Sequence, residues 1–105
     1  LVGSEMCIRD RAYPGRTRPI VYSGLKTVTT AGTQVVLAAA QTVTQVTVQC
    51  LSTNTGSIWV GDADVSDTTG LELNQGESVT FPVGNLADVW IDSSNNGDKA
   101  TFLAT

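Results

Sequence analysis

The feature that most constrains this chain is a run in which apolar and polar residues alternate, Val46-Thr47-Val48-Gln49-Cys50. A period of two places Val46, Val48 and Cys50 on one face of an extended strand and the polar residues on the other. Ser57-Ile58-Trp59-Val60 repeats the pattern, with Ile58 and Val60 inward and Trp59 outward. Val79 and Phe81 form another inward pair in a strand ending at Pro82, and Val89 and Ile91 flank an outward Trp90. Lys99 to Ala104 supplies a closing strand, with either Ala100 and Phe102 or Thr101 and Leu103 inward.

Between these runs lie turn signals at the 8–12-residue spacing of all-β domains. They are Ala31-Gly32, Asn54-Thr55-Gly56, Asn74-Gln75-Gly76 and Asn96-Gly97, the last of which reads as a type I′ hairpin turn. Fifteen threonines among 105 residues strengthen the strand reading. Thr33 to Leu37 reads as a second strand or a bulged continuation of the first, and Leu71 and Leu73 mark a short one. Leu37-Ala38-Ala39-Ala40-Gln41 has helical composition but is too short for a stable helix. The expected fold is all-β: a single small β-sandwich, jelly-roll-like, of seven or eight short antiparallel strands with an extended N-terminal arm. A small barrel is the second choice.

The first eleven residues fit none of these patterns. Leu1-Val2-Gly3-Ser4-Glu5-Met6-Cys7-Ile8-Arg9-Asp10 lacks strand alternation and the charge and hydropathy profile of a signal peptide. It resembles, in register, the translation of a sequencing-library transposase adapter whose last bases run into Arg11. Residues 1–11 are therefore expected to be adapter-derived. Setting them aside removes Cys7 and leaves Cys50 as a lone thiol with no internal disulfide partner.

Charge divides the remainder. Residues 12–26 hold Arg16, Arg18 and Lys26 and no acid, whereas residues 27–105 hold eight acids and one base, Lys99. Pro14, Gly15 and Pro19 make residues 12–25 an extended basic arm ahead of an acidic domain at 26–105. Such an arm is expected to lie on an acidic surface, its own or a neighbour's. The acidic balance argues against nucleic acid as the main partner. No apolar run approaches the ~20 residues of a membrane-spanning helix.

Catalysis finds no team. The chain has no histidine, so Cys50 and the serines lack an imidazole base, and no Gly-x-Ser-x-Gly elbow occurs. Neither a cofactor nor a metal is expected. Asp62, Asp64 and Asp67 crowd one loop without the pattern of a calcium-binding loop, and the stretch from Asp92 to Asp98 reads as a turn between strands. Trp59 and Trp90 are the sharper residues, because an outward tryptophan anchors a protein interface or stacks on a sugar ring.

Several stretches resemble small virion-associated proteins of tailed bacteriophages. They are Lys26-Thr27-Val28-Thr29-Thr30-Ala31-Gly32-Thr33, Ser52-Thr53-Asn54-Thr55-Gly56-Ser57-Ile58-Trp59-Val60-Gly61, Leu73-Asn74-Gln75-Gly76-Glu77-Ser78-Val79, and Asn85-Leu86-Ala87-Asp88-Val89-Trp90-Ile91-Asp92. With Thr101-Phe102-Leu103, they cover residues 26–103 in order. The resemblance implies a non-enzymatic capsid decoration (cement) protein on the outer capsid surface of the virion. Its partners would be the major capsid protein and its own copies, as a homotrimer. On that expectation Arg16, Arg18 and Lys26 contact the capsid or a sister subunit, and Trp59 or Trp90 lies in an interface. The alternative is a carbohydrate-binding module of a tail fibre or baseplate, with an exposed tryptophan in a groove near Asp62, Asn54 or Asn95. A bacterial surface protein is a third, weaker possibility.

Overall fold

A computed structural model describes residues 20–105. Eight strands are formed among the described residues: β1 (Tyr22–Val28), β2 (Val35–Val36), β3 (Gln45–Cys50), β4 (Ile58–Gly61), β5 (Leu71–Leu73), β6 (Ser78–Pro82), β7 (Trp90–Ser93) and β8 (Asp98–Ala104). They build two four-stranded antiparallel sheets, in the spatial orders β1-β8-β3-β6 and β2-β7-β4-β5. The fold is thus all-β, as expected.

Both sheets feed one core. Val28, Val46, Val48, Cys50, Ala100 and Ala104 come from the first sheet, and Ile58, Val60, Leu73 and Ile91 from the second. The inward parity read from β3, β4 and β7 holds, since Val46, Val48, Cys50, Ile58 and Ile91 are all fully buried. For β8 the structure selects the Ala100 set. Ala100 and Ala104 are buried and Phe102 packs against the core, while Leu103 is 52% exposed. Each fully buried aliphatic side chain in such a core contributes roughly 1.5–3 kcal/mol relative to exposure.

The first strand begins earlier than the charge pattern implies. Residues 22–25, expected in the arm, pair with β8 through Tyr22↔Ala104, Ser23↔Leu103, Gly24↔Phe102 and Leu25↔Thr101. Gly24 weakens the strand signal in the sequence, but a ring from across the ladder compensates. A Cβ at Gly24 would lie 2.9 Å from the Phe102 ring, so the aromatic covers the space that glycine leaves. Residues 1–11 and residues 12–19 of the arm, with Arg16 and Arg18, lie outside the described residues. The second strand is shorter than expected, two residues pairing as Val35↔Ile91 and Val36↔Trp90.

The turn at Asn96-Gly97 also differs from expectation. Gly97 does adopt a left-handed φ of 84°, but β7 and β8, which this turn joins, belong to different sheets. It is a crossing between sheets and not a hairpin. Val28 O accepts the Gly97 N–H (2.8 Å), and Asn96 Oδ1 accepts the Ala31 N–H (2.7 Å), so the turn is fastened to the end of β1 instead. Of the described strands, β4 and β5 alone are consecutive in the chain and paired with each other. Residues 62–70, the loop between them, are correspondingly free to fold over the sheet.

The alanine-rich stretch forms no helix. Leu37 is buried, and its N–H is accepted by Val89 O at 2.8 Å. A single 3₁₀ turn, Leu86–Asp88, is capped by Asn85, whose Oδ1 accepts the N–H of Ala87 and also that of Gln41.

Candidate functional site

The site is built on the outer face of the second sheet. Trp59 pairs with Glu72 of β5 and Asp92 of β7, while its neighbours Ile58 and Val60 point into the core. Strand alternation therefore puts the Trp59 and Asp92 side chains together on the face away from the core. Trp90 lies on the same face, opposite Gly61 and Val36, as the diagonal neighbour of Trp59. Both tryptophans are half-buried.

Loop 62–70 turns back over this face. Val65, a single apolar residue among acids, is 1% exposed although it lies outside the shared core. It seats where two glycines leave room. A Cβ at Gly61 would come within 3.1 Å of Val65 Cγ2, and one at Gly70 within 2.5 Å of Val65 Cγ2 and 2.9 Å of Trp59 Cβ. Side-chain and backbone bonds hold the loop itself: Asp62 Oδ1 accepts the Asp64 N–H, and the Thr69 hydroxyl donates to Asp64 O. Gln34 Nε2 donates to Ala63 O (2.9 Å) and so ties the loop to the approach of β2.

Between this loop and the Ala31-Gly32 turn is a cleft of about 400 Å³, walled by Trp59, Ser66, Asp67, Asp92 and Ser94 and closed by the turn itself. Gly32 has a φ of 85°, which lets the turn fold tightly enough for its N–H to reach Asp92 Oδ1 at 3.0 Å. The Ser93 N–H donates to the same oxygen at 2.8 Å. Asp92 is 2% exposed. Its Oδ2 meets no hydrogen-bond donor among the described residues, so a buried acceptor is left for whatever enters the cleft.

A second cleft of about 380 Å³ opens between β5 and β6, the edge strands of the two sheets. Leu71, Val60, Val79, Phe81 and Val83 give it an apolar wall, with Asp62 and Asp88 also lining it.

Each sequence-derived candidate among the described residues has a place. Lys26 lies on edge strand β1 opposite Ala100, half-buried and on the same side as Val28, an inward lysine of the kind that blunts edge pairing. Of the two tryptophans, only Trp59 lines the cleft. Asp62 lines the other cleft, and Asn54 is spent on structure. Asn54 Nδ2 donates to Lys99 O and its Oδ1 accepts the Lys99 N–H. Asn95 stays on the turn between β7 and β8, where its carbonyl accepts the Ser93 hydroxyl. The carboxylates that line this cleft with Trp59 are instead Asp92 and Asp67.

Asp98, the other end of the supposed turn, is buried and accepts the N–H groups of Thr55 (3.0 Å) and Gly56 (2.9 Å), which pins the β3–β4 crossing. Cys50 is buried beneath it. Burial pushes its thiol above the ordinary range, against a smaller opposing pull from the Asn54 side chain, which donates to Sγ at 3.1 Å. That is the environment of an inert packing thiol. Among the described residues no three His, Cys, Asp or Glu side chains gather as a metal-holding group.

No family model, curated protein or solved structure matches this chain.

Proposed function

We propose that this chain is a non-enzymatic structural protein of a tailed-phage virion, a capsid decoration (cement) protein seated on the outer capsid surface. The strand order carries the proposal. The sequence β1-β8-β3-β6 in one sheet and β2-β7-β4-β5 in the other is what two interlocked Greek keys produce in a jelly-roll sandwich, an architecture used by viral capsid domains. Function does not follow from architecture alone, and two surface properties supply the rest. Positive charge is concentrated in residues 12–26, with Arg16, Arg18 and Lys26, ahead of an acidic body. An apolar patch also faces solvent, made by Val21, Leu25 and Leu103, which are 60%, 52% and 52% exposed, beside Ile20 at 61%.

In this reading the arm reaches an acidic surface of the shell or of a sister subunit. The apolar patch and Trp90 are buried between copies in a homotrimer. Attachment is non-covalent and needs no cofactor.

Because β1 starts at Tyr22, the test deletes residues 12–19 and leaves the strand intact. The full chain and the deletion are each co-expressed with the major capsid protein of the same phage, then followed by light scattering and by co-sedimentation with capsids. The expected result is a trimer that sediments with capsids, with attachment weakened by the deletion while the melting temperature is unchanged. A monomer that stays in the supernatant overturns the proposal.

A further inference from the structure

Wherever the protein sits in a virion, the cleft beside Trp59 has a chemistry of its own. Its polar wall is rich in acceptors. Asp92 presents a buried Oδ2 without a donor among the described residues, and Asp67 adds an exposed carboxylate from the loop. The serine hydroxyls are engaged with neighbouring side chains. Ser94 Oγ bonds to Asn95 Oδ1 at 3.0 Å, and Ser66 Oγ lies 3.1 Å from both the Thr68 and Thr69 hydroxyls. Among the described residues no lysine or arginine lines the cleft. A ligand must therefore bring the donors, tolerate two nearby negative charges, and offer a face to the Trp59 ring.

We infer that this cleft binds a saccharide without acidic groups, one pyranose ring packed on Trp59 and its hydroxyl or amino donors turned to the carboxylates of Asp92 and Asp67. Aliphatic C–H faces of sugar rings suit an aromatic platform, and a hydroxyl supplies the donor that a buried carboxylate oxygen requires. The same two charges reject uronic and sialic acids, whose carboxylates would stand against Asp92 and Asp67 in a partly enclosed site. The cleft is preformed: Gly70 permits the close approach of the loop to Trp59, and Gly32 permits that of the turn to Asp92. Its volume of about 400 Å³ falls within the range of small-molecule sites.

The test is a panel of immobilised neutral, amino and acidic glycans probed with the labelled full chain, followed by calorimetric titration of the best-retained soluble oligosaccharide. Retention confined to neutral and amino glycans is expected, with a change in tryptophan emission on binding. Trp59→Ala should weaken binding at least tenfold. Asp67→Ala, on an exposed loop position where folding is not at stake, should weaken it several-fold with an unchanged circular dichroism spectrum and melting temperature. Failure to retain any neutral or amino glycan, equal retention of acidic ones, or unchanged affinity in Asp67→Ala would each overturn the inference.

Discussion

The two sheets share a core but differ on their outer faces. On the first sheet the outward residues are mostly short and polar and lie open. Thr47 and Thr80 face each other with their hydroxyls 2.7 Å apart, and Leu25 and Leu103 stand in solvent. On the second sheet loop 62–70 folds against Trp59, and Val65 and Asp92 are buried there. The alternation that generates the two faces is the same in both. The difference comes from connectivity, because only the second sheet contains a consecutive strand pair whose long loop can fold back across it. A strand pattern therefore says which residues leave the core, and a loop decides whether they reach water.

Three substitutions test that contrast. The largest effect is expected where the sheets are not distinct. Ile58 is fully buried between them, so Ile58→Ala should cost about 2–5 kcal/mol and lower both faces together in a single cooperative urea transition. Next comes the covering loop. Gly70→Ala forces a methyl group against Val65 and the Cβ of Trp59, and should cost about 1–3 kcal/mol. It should also alter tryptophan emission, since the loop must lift from the second sheet. A wild-type spectrum and melting curve would show that the loop does not cover that face. The smallest effect belongs to the open face. Leu103→Thr, at a 52% exposed position, should change the stability of the monomer by no more than ~0.5 kcal/mol. A larger loss in dilute solution would mean that this face is covered after all, and concentration dependence of the melting temperature would identify another copy as the cover.

Much of the first layer was legible in the chain. Val46-Thr47-Val48-Gln49-Cys50 and Ser57-Ile58-Trp59-Val60 announce both their extended conformation and their inward faces, because strand geometry is local and its period is two. The turns at Ala31-Gly32 and Asn74-Gln75-Gly76 were equally plain, and Gly32 and Gly76 take the left-handed φ values of 85° and 83° that only glycine adopts at little cost. The β1 boundary was hidden because Gly24 and the neighbouring basic residues weaken the strand signal, and Phe102, far along the chain, supplies what is missing. Asn96-Gly97 signalled a turn correctly and a hairpin wrongly. A turn motif specifies local backbone dihedrals but does not specify which sheet the following strand joins.

The candidate site shows the same division. Trp59 was singled out by being out of phase with its strand, a property of three consecutive residues. Asp92 and Asp67 were visible only as parts of a turn and of an acidic loop, and Val65 gave no sign that it would be buried. Their assembly needs Trp59↔Asp92 pairing across β4 and β7, a loop held down at Gly61 and Gly70, and a turn from the other end of the chain donating to Asp92. What the sequence by itself determined is the set of strands, their inward faces and the separation of charge, since these depend on dihedral preference and residue spacing along the chain. What only the tertiary structure decided is which strands are neighbours and which outward face is roofed, since those depend on contacts between residues tens of positions apart.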